Sequence, residues 1–219
     1  MESRIAVCIF AKPPRTGEAK TRLIPALGAE GAAVLARAFL EDTWEQVRGL
    51  TWAVPVLTSP SPWSTEALAG APEAWPQGSG DLGARMESVI HRALAGHPGV
   101  IALGADCPGL PCGHVESLRS KMQAAEAVFG PSEDGGFYAL GLSRLPRGAF
   151  AELPWSQPET LARTRERLES LGLTVSQGEP YFDVDRPADL DRLCAALRAG
   201  LVVAPRTRTA LVALGRLPR

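Results

Sequence analysis

One aspartate, Asp106, lies at the point where a buried strand is predicted to end. The apolar run Val100–Leu103 before it has the length and composition of a parallel strand covered on both faces. In open α/β sheets, ligands bind at the carboxyl ends of such strands. A carboxylate at that position can hold Mg²⁺ or Mn²⁺ under a diphosphate. The alternative is structural, because Asp106 could instead cap the next helix or close a turn through its own backbone.

Two more acidic residues, Glu133 and Asp134, precede a pair of glycines further along the chain. They lie between Phe129 and the strand-like run Phe137–Leu140, and an Asp-Gly pair by itself is typical of a hairpin turn. Two adjacent carboxylates are more than such a turn requires. Both are therefore candidate catalytic residues, and either could bind the hydroxyls of an acceptor or act as a general base.

A third acidic pair, Asp183 and Asp185, comes late in the chain. The two residues have the spacing at which a strand places side chains on the same side. Either of them could add a second carboxylate to a metal ion bound at Asp106. The structural alternative is that Asp185 caps the helix that Pro187 opens.

A basic loop follows the first predicted strand, at residues 12–23. It contains four cations around Glu18, namely Lys12, Arg15, Lys20 and Arg22. A basic loop with a glycine, placed after a first strand, suits the phosphates of a nucleotide. It is not a Walker A loop, because Ala19 stands where that motif has glycine. The alternative is a solvated surface loop.

A glycine-rich segment at residues 77–86 precedes another predicted helix. Its glycines, Gly80 among them, let the backbone approach a ligand closely. Asp81 is a natural helix N-cap, which is its structural interpretation. The functional interpretation is that Gly80, Asp81 and Arg85 contact a nucleotide or an acceptor.

These residues are separated by segments with strand-like and helix-like patterns. Strands are predicted over residues 4–11, 54–57, 100–103, 127–129, 137–140 and 173–175, and helices over residues 30–47, 82–95, 115–125, 159–171, 187–199 and 205–219. Pro55 favours an edge position or an irregular start for the second strand. Residues 59–76 are rich in Pro, Ser and Trp and are predicted to form an irregular surface excursion.

The composition excludes several classes of protein. The chain has 219 residues, of which 45% are hydrophobic and 21% charged, and this fits one medium domain with a full core. The net charge of −1 gives no electrostatic case for binding nucleic acid. No continuous apolar run reaches the length of a membrane span, and the N-terminus has no signal-peptide layout, so we expect a cytoplasmic protein.

The four cysteines have no spacing that indicates a disulfide framework. Cys8 and Cys194 lie in apolar runs and are predicted to be small core residues. Cys107, Cys112 and His114 could suggest zinc, but their spacing matches no common structural zinc site.

Five segments in this order resemble the nucleotide-diphospho-sugar transferase superfamily, which has the GT-A fold: residues 10–23, 77–86, 103–111, 130–142 and 182–190. Within the superfamily, they look most like a bacterial glycosyltransferase family, some members of which are associated with arsenosugar biosynthesis. That family is similar to phospholactate guanylyltransferases and molybdenum-cofactor guanylyltransferases. The resemblance implies one α/β domain over residues 1–219, a Rossmann-like three-layer αβα sandwich with a mostly parallel mixed sheet.

The resemblance also implies roles for the residues singled out above. Asp106 would bind the metal, Mg²⁺ or Mn²⁺, and Asp183 or Asp185 would supply a second carboxylate. The basic loop would wrap the nucleotide phosphates, and Glu133 and Asp134 would face the acceptor. One departure is Pro108, which stands where many GT-A glycosyltransferases have the second aspartate of an Asp-x-Asp pair.

Two enzymatic functions and one binding function are compatible with these residues. The leading hypothesis is a metal-dependent glycosyltransferase that uses a nucleoside diphosphate sugar and a small-molecule acceptor. The alternative enzyme is a nucleotidyltransferase that joins a nucleoside triphosphate, GTP or CTP, to a phosphorylated substrate. The third hypothesis is a non-catalytic nucleotide-binding module. A homo-oligomer is also considered, because the stretch around Trp63 and Trp75 could cover a partner surface.

Overall fold

A seven-stranded mixed sheet forms the centre of the protein. The computed structural model describes residues 4–63, 68 and 74–218. The strands are β1 (Ile5–Phe10), β2 (Ala53–Ser59), β3 (Trp75–Pro76), β4 (Val100–Gly104), β5 (Ala127–Pro131), β6 (Phe137–Leu142) and β7 (Val175–Gln177). Their order across the sheet is β3-β2-β1-β4-β6-β5-β7. Only β6 is antiparallel to its neighbours, β4 and β5.

Helices cover both faces of this sheet. They are α1 (Ile24–Arg48), α2 (Leu82–Leu94), α3 (Cys112–Lys121), α4 (Thr160–Ser170), α5 (Pro187–Arg198) and α6 (Pro205–Ala213). The alternation of side chains along β1 explains the layers, because Val7 and Ile9 face one way while Ala6 and Cys8 face the other. The first pair packs with buried residues of α1 and α3, and the second pair with α2 and α4. The predicted α/β sandwich with a mostly parallel mixed sheet is confirmed.

A third apolar cluster joins the first half of α1 to α5 and α6. Leu35, Phe39, Leu193 and Leu211 are fully buried in it. Val184, which lies between the two late aspartates, belongs to the same cluster and is also fully buried. The C-terminal helices therefore hold the segment that carries Asp183 and Asp185 against the sheet.

Helix α1 is longer than the sequence predicts. It begins at Ile24 instead of residue 30 and contains a break at Gly28, whose backbone has φ 71° and ψ 166°. Thr21–Arg48, which includes the preceding 3₁₀ turn, is long and apolar enough by length and composition to cross a membrane, and 44% of an apolar 18-residue stretch within it is buried inside the protein. This is weak evidence for a span, since α1 packs on the sheet and on α6 here.

Other boundaries differ from the prediction by a few residues. Helix α3 begins at Cys112, earlier than expected, and α6 ends at Ala213, before the predicted residue 219. Pro55 pairs with Val7 of β1, while β3 pairs only with Thr58 and Ser59. Pro55 therefore lies in the part of β2 whose outer side has no strand partner in the described chain, which agrees with the predicted edge position. Much of the predicted excursion at residues 59–76 lies outside the described residues.

The cysteines behave as the sequence indicates. Cys8 and Cys194 are buried core residues, Cys107 is buried and Cys112 is exposed, and all four thiols are free. Within residues 4–63, 68 and 74–218, no three His, Cys, Asp or Glu side chains are grouped so that they could hold a metal ion.

Candidate active site

The loop after β4 places Asp106 at the carboxyl edge of the sheet. The backbone oxygen of Asp106 accepts a hydrogen bond from Val184 N at 2.9 Å, which joins this loop to the segment before α5. Helix α3 is capped by Pro111, so Asp106 does not cap it. The Asp106 side chain is 61% exposed and free to meet a ligand from solvent.

A cleft of about 280 Å³ opens beside Asp106. Asp134 from the β5–β6 loop and Asp183 from the segment before α5 line the same cleft. Burial raises the pKa of the Asp183 carboxyl, and the neighbouring carboxylates of Asp134 and Asp106 raise it further. The tertiary structure therefore brings together three carboxylates that the sequence separates widely, and they repel one another.

Lys20 is the cation next to these carboxylates. Its side chain is only 6% exposed, and its ammonium lies 2.7 Å from Asp106 Oδ1 and 3.9 Å from Asp185 Oδ1. It also donates a hydrogen bond to the Val184 carbonyl at 2.7 Å. The backbone of Lys20 has φ 47°, a left-handed conformation that is uncommon for a lysine. The fold thus holds this ammonium at the edge of the site.

The donor set of the cleft suits a hard divalent cation. Asp106 and Asp183 offer carboxylate oxygens, which Mg²⁺ and Mn²⁺ prefer. The mutual repulsion that raises the pKa of Asp183 is relieved when a cation lies between the carboxylates. The residues present therefore fit such an ion, although they do not form a closed cage of protein ligands in the part of the chain that is described.

Comparison with known proteins finds solved structures that share this fold. A crystal structure from Desulfovibrio desulfuricans G20, provisionally assigned as a nucleotide-diphospho-sugar transferase, superposes with a TM-score of 0.84 at 27% identity over 97% of this chain and 96% of that chain. The fold is the GT-A-type fold of nucleotide-dependent transferases. Residues 50–157, just under half of the chain, match the family DUF2064, described as an uncharacterized protein conserved in bacteria. The sequence matches no curated protein.

More distant solved structures share the same fold. CMP:2-keto-3-deoxy-manno-octonic acid synthetase in complex with CTP has a TM-score of 0.60 at 15% identity, covering 91% of this chain and 100% of that chain. The 2-C-methyl-D-erythritol 4-phosphate cytidylyltransferase of Thermus thermophilus has a TM-score of 0.54 at 21% identity, covering 89% and 99%. At these identities the likeness concerns the fold alone.

The structure separates the two late aspartates. Asp183 lines the cleft, whereas Asp185 forms an ion pair with Arg22 and lies near Lys20. Residues 182–185 are not a strand, so the predicted strand alternation is wrong there. The predicted capping role of Asp185 is also wrong, because Arg186 is the N-cap of α5 and Asp189 accepts from the backbone N–H groups of Asp185 and Arg186.

The structure also separates Glu133 from Asp134. Arg192 of α5 binds the Glu133 carboxylate with two hydrogen bonds, the longer of them 2.9 Å, and Glu133 does not line the cleft. These hydrogen bonds hold the pKa of Glu133 below its usual range. Asp134 Oδ1 accepts a hydrogen bond from Gly136 N at 2.9 Å, so Asp134 closes the predicted turn and faces the cleft as well.

The remaining cations of the basic loop are at the surface. Lys12 is exposed, and Arg15 donates a hydrogen bond to the Pro62 carbonyl at 3.1 Å and pairs with Glu18 at 3.6 Å. Neither residue lines the cleft. Of the four cations predicted to contact phosphate, only Lys20 lies beside a carboxylate of the cleft, that of Asp106.

In the glycine-rich segment, the predicted contacts Gly80, Asp81 and Arg85 do not line the cleft, whereas Leu82 and Met86 do. Asp81 accepts a hydrogen bond from Ala84 N at 2.8 Å and is the N-cap of α2, which is its structural interpretation. Gly80 has φ 100°, and Arg85 donates hydrogen bonds to the Asp81 carbonyl and to Gln77 Oε1. Gln77, which the sequence did not single out, is buried and donates to Thr58 Oγ1 at 3.1 Å at the end of β2. This segment is therefore tied to the carboxyl edge of the sheet.

The sequence also missed the aromatic side of the cleft. Phe137 and Trp155 line it, with ring centroids 6.3 Å apart in an edge-on arrangement. Trp155 packs against Gly83, where an added Cβ would lie 2.6 Å from the indole nitrogen. Ser156, next along the lining, has φ 59°. The Pro154-Trp155-Ser156 run was the available signal, but nothing local to it indicates a position beside Asp106.

Proposed function

We propose that this protein is a metal-dependent glycosyltransferase that moves a sugar from a nucleoside diphosphate donor to a small-molecule acceptor. The observation that carries the proposal is the cleft in which Asp106, Asp134 and Asp183 meet beside the buried ammonium of Lys20. The transferase class is further supported by the similarity to the Desulfovibrio protein over nearly the whole chain.

Electrostatics support a divalent cation in this reaction. A diphosphate cannot approach three carboxylates without a positive charge between them. Asp106 and Asp183 would hold Mg²⁺ or Mn²⁺, and Asp185 is engaged by Arg22 instead. When bound, the ion would neutralise the charge that develops on the departing nucleoside diphosphate.

The protein's own residues would bind the donor and move one proton. Lys20 lies where it can exchange part of its contact with Asp106 for a phosphate oxygen, and the exposed Lys12 and Arg15 can follow from solvent. Asp134 would accept the proton of the acceptor hydroxyl. The acceptor oxygen then bonds to the anomeric carbon, and the bond from that carbon to the diphosphate oxygen breaks with its electron pair leaving on the diphosphate.

Four more specific expectations from the sequence remain predictions. They are the resemblance to the arsenosugar-type family, the resemblance to guanylyltransferases, the cytoplasmic location and the homo-oligomer. Trp63 and Trp75 pack on this chain's own core, and Arg92 stacks on the Trp75 ring at 4.0 Å, so these side chains are engaged without a partner.

A thermal-shift panel tests the proposal. The ligands are nucleoside mono-, di- and triphosphates and sugar nucleotides of each base, with Mn²⁺ or with a chelator. A ligand at 100 times its dissociation constant stabilises the native state by about 2.7 kcal/mol, or roughly 5–10 °C for a chain of this size. We expect nucleoside diphosphates and their sugars to give the largest shift, and only with Mn²⁺.

Variants make the panel specific to the cleft. Asp106→Asn and Asp183→Asn should each abolish the Mn²⁺-dependent shift. The control is Asp191→Asn on α5, because Asp191 is 69% exposed and pairs only with Arg216 among its described contacts. A larger shift with a triphosphate would support the nucleotidyltransferase instead. A shift that needs no metal would support a non-catalytic nucleotide-binding module.

A further inference from the structure

The cleft has two chemically different sides. We call Asp106, Asp134 and Asp183 of the lining its acidic side, and the rings of Phe137 and Trp155 in the same lining its aromatic side. Aromatic rings offer flat apolar surface, and carboxylates accept hydrogen bonds from hydroxyl groups. A molecule that satisfies both sides has an apolar face and several hydroxyls, which is the chemistry of a sugar or a cyclic polyol.

The described lining of the cleft contains no lysine or arginine. Three basic residues around it are paired within the protein. Lys20 contacts Asp106 and the Val184 carbonyl, Arg22 pairs with Asp185, and Arg192 binds Glu133. In the proposed reaction Lys20, Lys12 and Arg15 bind the phosphates of the donor, so a second anionic group would face the carboxylates with no lysine or arginine in the described lining.

A bound metal ion does not remove the preference of the cleft for uncharged groups over anionic groups. One divalent cation and the Lys20 ammonium together balance the three carboxylates, and the diphosphate of the donor then makes the cleft negative. A phosphate or carboxylate on the acceptor would be repelled at close range, where the reduced dielectric strengthens the interaction. A neutral acceptor meets no such penalty.

The size of the cleft also limits the acceptor. Its volume of about 280 Å³ lies just below the range of roughly 300–1,000 Å³ for sites that enclose drug-sized ligands. A single sugar ring is the scale of molecule that it can enclose. Larger acceptors would extend out of it.

We propose that the acceptor is an uncharged polyhydroxylated molecule of about one sugar ring, which presents a hydroxyl to Asp134 and its apolar face to Phe137 and Trp155. This inference rests on the proposed glycosyl transfer and specifies its second substrate. It excludes phosphorylated and carboxylated acceptors, which a nucleotidyltransferase of the alternative type would use.

Isothermal titration calorimetry tests the inference on the full chain. The protein is first saturated with Mn²⁺ and with the nucleoside diphosphate that stabilises it most. It is then titrated with free hexoses and cyclic hexitols, each compared with its own monophosphate ester. We expect at least one neutral compound to bind at least tenfold more tightly than its ester. Tighter binding of the esters, or no binding of any neutral compound, would overturn the inference.

Two variants connect the preference to one carboxylate. Asp134→Lys should reduce or invert the preference for the neutral compound. The matched control is Glu133→Gln, which removes a charge from the adjacent residue that points to Arg192 and should leave the preference within twofold of the wild type. An unchanged preference in Asp134→Lys, or the same change in both variants, would contradict the proposed role of Asp134.

The first titration separates this inference from the proposed function. If the nucleoside diphosphate binds with Mn²⁺ but the esters bind better than the neutral sugars, the donor site stands and the acceptor class is wrong. If no nucleotide binds in a metal-dependent way, the proposed function itself is wrong.

Discussion

At the scale of single residues, Lys20 and Asp183 show two ways in which the fold handles charge. Lys20 is almost fully buried and is compensated by Asp106, the Val184 carbonyl and Asp185. The pKa of Asp183 is raised because its burial and the charge of Asp134 outweigh the opposing effect of Lys20. Uncompensated charge in a cleft costs stability and is typical of functional sites.

The raised pKa of Asp183 predicts a stabilised variant. Because the folded protein favours the protonated carboxyl, the stability linked to Asp183 is present at low pH and is lost as the pH rises through its raised pKa. Asp183→Asn should therefore raise the melting temperature of the metal-free protein at pH 7. The gain should shrink toward pH 4, near the usual pKa of aspartate.

Thermal unfolding with a chelator at the two pH values checks this prediction. Asp191→Asn is again the control, because it removes an exposed carboxylate from the neighbouring helix. A lower melting temperature for Asp183→Asn at pH 7 would show that the charge is better compensated than the geometry indicates.

At the scale of elements, the β5–β6 loop is held against the residues before α4. Gly135 has φ 90°, and its carbonyl accepts a hydrogen bond from Leu161 N at 3.0 Å. A Cβ added at Gly135 would lie 2.0 Å from the Pro158 carbonyl oxygen. This close approach holds the loop that carries Asp134 against the segment that follows Trp155, and both residues line the cleft.

Replacement of Gly135 by alanine should therefore cost more than conformational strain alone. Gly172 is the matched control, because it has φ 78° and nothing within 4 Å of an added Cβ. Gly172→Ala should cost about 1–2 kcal/mol from the left-handed backbone, and Gly135→Ala about 1–3 kcal/mol more from the clash. Urea unfolding measures the free energy of unfolding of both variants. Equal losses of stability would mean that the β5–β6 loop and the segment at Pro158 can move apart without an energetic cost.

At the scale of the whole molecule, the third apolar cluster connects the C-terminal helices to the site. Val184 is buried in this cluster, between Asp183 in the cleft and Asp185 beside Arg22. The net charge of the chain is −1, so the three carboxylates in the cleft are a local concentration of negative charge. The packing of α1, α5 and α6 is thus part of the site's construction.

Removal of a side chain from this cluster should weaken the entire fold. Leu211 of α6 is fully buried, and Leu211→Ala should lower the free energy of unfolding by about 2–5 kcal/mol. Val203→Ala is the control, because Val203 is 79% exposed. This substitution should change the free energy of unfolding by no more than about 0.5 kcal/mol. Urea unfolding followed by circular dichroism measures both. A small loss for Leu211→Ala would mean that α6 unfolds independently of the sheet.

The sequence by itself determined most of the elements and the place of Asp106. Apolar runs and helix starts are local patterns, and they identified β1, β4 and β6 and the Asp81 cap of α2. The basic loop could also be recognised, because its cations lie within a dozen residues. Local patterns suffice where the physical cause is itself local.

Only the tertiary structure decided which acidic residues share the cleft. The choice of Asp134 over Glu133 depends on Arg192, which is 59 residues away in sequence from Glu133. The choice of Asp183 over Asp185 depends on Arg22, which is 163 residues away from Asp185. The aromatic side of the cleft likewise depends on Trp155 packing against Gly83. Neighbouring carboxylates have the same local signature, so their roles are separated by the distant partners that the fold brings to each of them.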